Sequence, residues 1–186
     1  MLERTGARTD IWVSFATPFF AGLSDEERIA KGAETVTLLR EKADAIGCRV
    51  SLYNHGDWFG EPRNMIKILQ RVAGDDVGLV YNFHHAHAQV DEFPANVALM
   101  LPYLRTVNLN GMRPGGPQIL PIGAGVHEAT MMRQLRDAGF AGRIGILGHV
   151  EDADVQDVLT ANLSGLKSLL RQMGETEALA TYDASP

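Results

Sequence analysis

The chain has 186 residues, 45% of them hydrophobic, which is enough for one domain with a sizeable buried core. Lys and Arg number 17 against 23 Asp and Glu, and a net charge of −6 offers no basic footprint for a nucleic-acid backbone. The lone Cys48 cannot form an internal disulfide, no run reaches the ~18 apolar residues of a membrane helix, and residues 1–10 lack the apolar centre of a signal peptide. The expectation is a cytoplasmic protein with no membrane segment.

Residues 11–15 (IWVSF) form a short strand-like run ended by Thr17-Pro18. Ser24 and Glu27 have the spacing of a capping box, and Ile29, Ala33, Val36, Leu39, Ala43 and Ile46 recur at helical spacing behind it, with Gly47 as the stop. Residues 49–54 read as the second strand. Pro62 opens a helix carrying Met65, Ile66, Leu69 and Val72 on one face, closed by Gly74. Residues 77–83 read as the third strand, 91–101 as a shorter helix and 104–109 as the fourth strand. A Gly- and Pro-rich loop, 111–125, follows, and a loop of that length inside a compact domain more often shapes a site than fills space. A helix over 128–138, a fifth strand over 144–147 and a last helix from Asp152 or Asp154 to Gly174 complete the pattern. Residues 175–186 read as a polar tail that frays.

Strand followed by helix, five times over, with near-continuous apolar strands, predicts a parallel sheet covered by helices over 1–174. Such a sheet is either part of a (β/α) barrel or an open doubly wound sheet, and both place function at the carboxyl ends of the strands.

Polar residues gather there. Tyr53 and His55 share a face at the end of strand two, and Asn108 and Asn110 do so at the end of strand four. Asn82 ends strand three, with His84, His85 and His87 beyond it, and strand five runs out into Gly148-His149 with Glu151 close behind. Amides, imidazoles and a phenol both donate and accept hydrogen bonds, which suits a hydroxyl-rich ligand. Simpler readings stand beside this one. Asn54 and Asn110 sit at turns, Gly123-Ala124-Gly125 suits a tight turn better than a phosphate loop, and His127 reads as surface. Trp58-Phe59 fits either a sugar-stacking platform or a hydrophobic plug.

In this order and spacing the blocks resemble the xylose-isomerase-like TIM barrels, the family of sugar phosphate isomerases and epimerases. Tyr53-Asn54-His55-Gly56 stands where that family commonly has Glu-Asn-His-Gly, and the strand over 77–85 where it has an apolar run ending Asp-x-x-His. Val107-Asn108-Leu109-Asn110 stands in place of His-x-Lys, followed by the Pro121–Gly125 loop, and residues 142–147 in place of a last strand ending in Glu. The resemblance implies a divalent metal held by Glu, Asp, His and Glu, with the two glutamates moving a proton beside the substrate carbonyl. The matching positions here are Tyr53, Asn82, Asn108 and Leu147 (or Gly148), so none of the four ligands is present. His55 and His85 do match. These barrels have eight strand–helix units in about 250 residues, and the blocks here match the last five. The absent wall implies either an internal start at Met1 or a wall supplied by another chain.

The expected function is that of a sugar (phosphate) isomerase/epimerase-like protein with its metal-ligand carboxylates replaced. His55, His85 and His149 are the candidate acid/base groups and the only candidate metal ligands. Tyr53, Asn54, Asn82, Asn108 and Asn110 are the candidate substrate-binding residues. The alternative is a non-catalytic carbohydrate-binding or structural barrel domain. An abasic-site endonuclease relative is disfavoured by the acidic charge. The expected partners are a small sugar or sugar phosphate and, because a five-unit sheet has two open edges, further copies of the chain or another chain along those edges.

Overall fold

A computed structural model describes residues 1–74 and 76–183. Five strands make one sheet: β1 (Asp10–Val13), β2 (Arg49–Tyr53), β3 (Val77–Asn82), β4 (Leu104–Leu109) and β5 (Arg143–Ile146). All four pairings are parallel, and the strands lie side by side in sequence order, β1-β2-β3-β4-β5. This order decides between the two expected architectures. A doubly wound sheet reverses direction at a switch point, whereas a barrel wall adds each strand to the same edge.

The helices agree. Four of them, α2 (Asp25–Asp44), α3 (Pro62–Leu69), α4 (Phe93–Met100) and α5 (Glu128–Asp137), alternate with the strands, and α6 (Val155–Met173) follows β5. Each helix from α2 to α6 touches the next, so they form one continuous outer layer. The short α1 (Leu2–Thr5) precedes β1. The chain is therefore five units of a (β/α) barrel, curled with helices outside.

Local chemistry sets these elements. The capping box at α2 is formed: Ser24 Oγ accepts from the Glu27 N–H, and the Glu27 carboxylate accepts from the Ser24 N–H at 2.8 Å. Asp154 caps α6 by accepting from the N–H groups of Gln156 and Asp157, and Gly174 ends it with a left-handed φ of 76°. Along β3, Val77, Leu79 and Tyr81 join the core under the helices, together with Phe83 beyond the strand, while Gly78, Val80 and Asn82 alternate onto the concave face. Phe93 of α4 packs against both Tyr81 and Phe83, with ring centroids 5.6 and 5.7 Å away.

At the amino end of the strands the concave face carries charged side chains around an open pocket. Arg105 lies over Gly78, pairs with Asp76 at 2.6 Å and approaches Asp10 at 3.8 Å. These ion pairs tie β1, β3 and β4 together at the end of the sheet away from the imidazoles.

Three boundaries differ from expectation. β1 ends at Val13, and Thr17–Phe20 forms a 3-10 turn that stacks Phe19 on Phe15 and sets Phe20 edge-on to both. The helix expected from 91 starts at Phe93, after a 3-10 turn over His87–Gln89. The segment after Gly174, expected as a polar tail, forms α7 (Thr176–Asp183), which packs on α6; Leu179 lies against the core, and Glu175 pairs with Arg136 at 3.0 Å. The expectation for residues 184–186 lies outside the described residues.

Candidate functional site

At the carboxyl ends of the strands a cavity of about 410 Å³ is lined by Ser14, Tyr53, His55, Asn82, His84, His85, Ile119, Leu147 and His149. Five of the eight candidate residues, Tyr53, His55, Asn82, His85 and His149, meet there. They arrive from the ends of β2, β3 and β5 or from the segments just beyond them. The chain makes a 3-10 turn over Phe83–His85 after β3, which brings both His84 and His85 into the mouth.

Asn82 is the hinge of the arrangement. Its Oδ1 accepts from the His84 N–H at 3.0 Å, and its Nδ2 donates to the Tyr53 hydroxyl oxygen at 2.7 Å. With that oxygen already accepting, the Tyr53 O–H is free to donate to His85 Nε2, 3.2 Å away. This requires His85 to be neutral, with its proton on Nδ1. The surroundings hold it so. Burial, reinforced by the neighbouring His84 and His55, pushes the His85 pKa down to about 4. The His55 and His85 rings meet edge-on with centroids 4.6 Å apart, and His84 lies 4.5 Å from His85. The pKa of His84 is also lowered, chiefly by burial.

The other three candidates lie outside the cavity wall. Asn54 is buried, and both ends of its amide are used on β3: Oδ1 accepts from the Asn82 N–H at 2.7 Å, and Nδ2 donates to the Asn82 carbonyl at 3.1 Å. Asn110 is also buried and donates to the carbonyls of Gly111 and Gln118. Asn108 sits beside Asn82 in register, under Gly145, and makes no side-chain hydrogen bond among the described residues. His87 does not line the cavity either; its Nε2 is 2.9 Å from the Gln118 carbonyl. Trp58 and Phe59 do not line this cavity; Phe59 is buried against Phe15, and Trp58 is half-buried against Phe20.

Three wall residues were not singled out from sequence. Ser14 follows Trp12 by two positions at the end of β1, so the same alternation that selected Tyr53 and His55 reaches it. Ile119 comes from the middle of the long loop, where no periodicity operates. Leu147 drew notice only as the place of an absent carboxylate.

The positions implied for metal ligands hold a phenol, two amides and an alkyl chain. Among the described residues, no group of three or more His, Cys, Asp or Glu is arranged to hold a metal ion, the His55, His85 and His149 set included. A hard divalent cation wants several anionic oxygens, and no carboxylate lines this cavity, so the residues present do not fit one.

A family model for xylose isomerase-like TIM barrels matches residues 3–168. The chain belongs to that family. Among solved structures, a D-tagatose 3-epimerase-like protein superposes with a TM-score of 0.67 at 17% identity, over 94% of this chain and 66% of its own. D-allulose 3-epimerase from Methylomonas sp. gives 0.69 at 14%, over 91% and 65%. The 3-keto-D-glucoside 4-epimerase of E. coli gives 0.67 at 15%, over 90% and 65%. At such identities the likeness is one of fold, and this chain spans just under two thirds of the length of each. Comparison with curated protein sequences gives no match. No helix among the described residues is long and apolar enough to cross a membrane.

Proposed function

We propose that the chain is a sugar isomerase/epimerase-like protein that binds a polyhydroxylated substrate in the cavity at the strand ends, with the family's metal-ligand carboxylates replaced. The observation that carries this reading is the Asn82–Tyr53–His85 hydrogen-bond chain, set where a metal site would otherwise be expected. Two of the structural neighbours are epimerases of sugars and a third is D-tagatose 3-epimerase-like, and the cavity is large enough for one monosaccharide.

In this reading Tyr53, Asn82 and the imidazoles hydrogen-bond substrate hydroxyls. The exposed His55 and His149 are the imidazoles placed to take up a proton beside a carbonyl, and His85, its Nε2 accepting from Tyr53, orients the phenol. Asn54 and Asn110 hold the frame. The second reading, a carbohydrate-binding barrel domain without turnover, is favoured by the absence of any carboxylate from the cavity wall. We also propose association along the open edges of β1 and β5.

The deciding experiment incubates ketoses and aldoses with the protein in D2O and follows deuterium uptake next to the carbonyl by NMR. Uptake that survives EDTA and is lost in His85→Ala is the expected result. Uptake abolished by EDTA would overturn the metal-free reading. Saturable binding without uptake would select the non-catalytic domain, and neither binding nor uptake would sink both.

A further inference from the structure

The amino end of the sheet holds a second cavity, of about 850 Å³, that the proposed chemistry does not use. Four strands each bring one arginine to its wall: Arg8 just before β1, Arg49 at the start of β2, Arg105 in β4 and Arg143 at the start of β5. Among the described residues Asp10 is the only carboxylate in that wall, and Asp76, before β3, is within reach of Arg49 and Arg105. In a chain of net charge −6, four guanidiniums against two carboxylates reverse the sign locally.

Most of that negative charge is taken by one arginine. Arg105 lies 2.6 Å from Asp76 and 3.8 Å from Asp10, and Asp10 also accepts from the Ser51 hydroxyl at 2.7 Å. Arg49 reaches Asp76 only at 3.5 Å, and its side chain is 64% exposed. Arg8 uses Nη1 on the Gly6 carbonyl at 3.1 Å and has no ion pair among the described residues. Arg143 has neither an ion pair nor a side-chain hydrogen bond among them. Three guanidiniums therefore keep free donors around one concavity, Arg8 and Arg49 on its β1–β2 side and Arg143 on its β5 side. The rest of the wall is partly apolar, with Leu101, Leu104 and Phe140.

A guanidinium presents a planar fork of N–H donors that matches two phosphate oxygens, and several forks can share one dianion. Inorganic phosphate fills only a small part of a cavity this size, and the apolar residues offer a surface for an organic group. We propose that the amino-end cavity binds a small phosphate monoester, its phosphate held between Arg8, Arg49 and Arg143 and its organic group lying against Leu101 and Phe140. The site is at the opposite end of the strands from the imidazoles, and it stands whether or not the strand-end cavity takes a sugar.

Phenyl phosphate is the test ligand, titrated calorimetrically into the full chain at low ionic strength, with inorganic phosphate as the reference. Saturable binding is expected, at least about threefold tighter than that of inorganic phosphate. Arg8→Gln and Arg49→Gln, both at exposed positions, are each expected to weaken it at least about fivefold through loss of a charge-assisted hydrogen bond. Arg113→Gln, at an exposed arginine of the strand-end loop, is expected to leave it unchanged. Arg143 stays native, because it lies on the β5 edge, where association of chains would act on it as well. Circular dichroism checks that the variants fold, and either one suffices if the other does not. No saturable binding up to about 10 mM would overturn the proposal. So would binding no tighter than that of inorganic phosphate, or equal weakening in Arg113→Gln. Loss of binding in His85→Ala, with the Arg8 and Arg49 variants unaffected, would place the ester in the strand-end cavity and overturn it too.

Discussion

Protonating His85 would bring a charge into a group of imidazoles and break the hydrogen bond that its Nε2 accepts from Tyr53. The folded-state pKa near 4 lies below the ordinary 6.5, so between these values the unfolded chain binds more protons than the folded one. The stability contributed by neutral His85 is therefore complete above about pH 6.5 and is lost as pH falls toward about 4. His84, shifted the same way, adds to the slope. Urea midpoints taken from pH 7 to pH 4 are expected to decline, and His85→Gln, which cannot titrate there, should flatten part of that decline. An unchanged slope in the variant would show that His85 is not held neutral. The same low pKa makes His85 a weak base at pH 7, with its Nε2 already accepting from Tyr53, and leaves it as the group that orients the phenol. Strand alternation picked out Tyr53 and His55, which line the mouth, and Asn108 and Asn110, which do not; with the strand-end residues Asn82, His85 and His149, five of the eight candidates meet in one cavity. Which imidazole the phenol contacts was not legible, because it depends on the 3-10 turn over Phe83–His85 that follows β3.

At the scale of the element, β2 and β3 are joined by more than their ladder. The Asn54 amide spans Asn82, taking its N–H and capping its carbonyl, and so sets how far Asn82 projects toward Tyr53. Asn54→Ala leaves buried backbone groups on β3 without these partners, and the expected loss is about 1–3 kcal/mol of unfolding free energy. It should also release the Asn82 side chain, visible as a changed chemical shift of its amide. A loss within error of zero would mean that water or a local shift replaces both bonds. The sequence suggests Asn54 as a turn former before His55-Gly56 or as a substrate-binding amide, since a side chain that bonds to another strand's backbone leaves no periodic trace. Strands and helices were legible because burial imposes period 2 or 3.6 on the apolar residues. The buried Glu128 and the helix α7 were not. One depends on three N–H groups converging from separate parts of a loop, and the other on Leu179 and Glu175 finding partners on distant elements.

Over the whole molecule, the unresolved demand is at the two sheet edges. β1 and β5 each have a neighbour on one side only among the described residues, and an unpaired strand edge is a template for another strand. The two edges suit each other. Both strands are four residues long, and aligning their starts in a parallel pair sets Asp10 beside Arg143, Ile11 beside Ile144, and Trp12 beside Gly145. That alignment matches opposite charges, then two apolar side chains, then a large ring over a residue with no side chain. Trp12 and Ile144 are 44% and 46% exposed in the single chain, and Arg143 has no ion-pair partner among the described residues. A second copy pairing β1 against β5 would cover them. Light scattering after size exclusion is therefore expected to give a mass above that of one chain, and Arg143→Glu to lower it by setting a carboxylate against Asp10. Arg143 is exposed and at a strand start, so the variant should keep its circular dichroism spectrum. Cysteines placed at Ile11 and Ile144 in one chain, with Cys48→Ser, should link copies to each other, because neighbouring parallel strands bring Cα atoms within disulfide reach. A wild-type mass of one chain at high concentration, or an assembly indifferent to Arg143→Glu, would remove the edges as the contact.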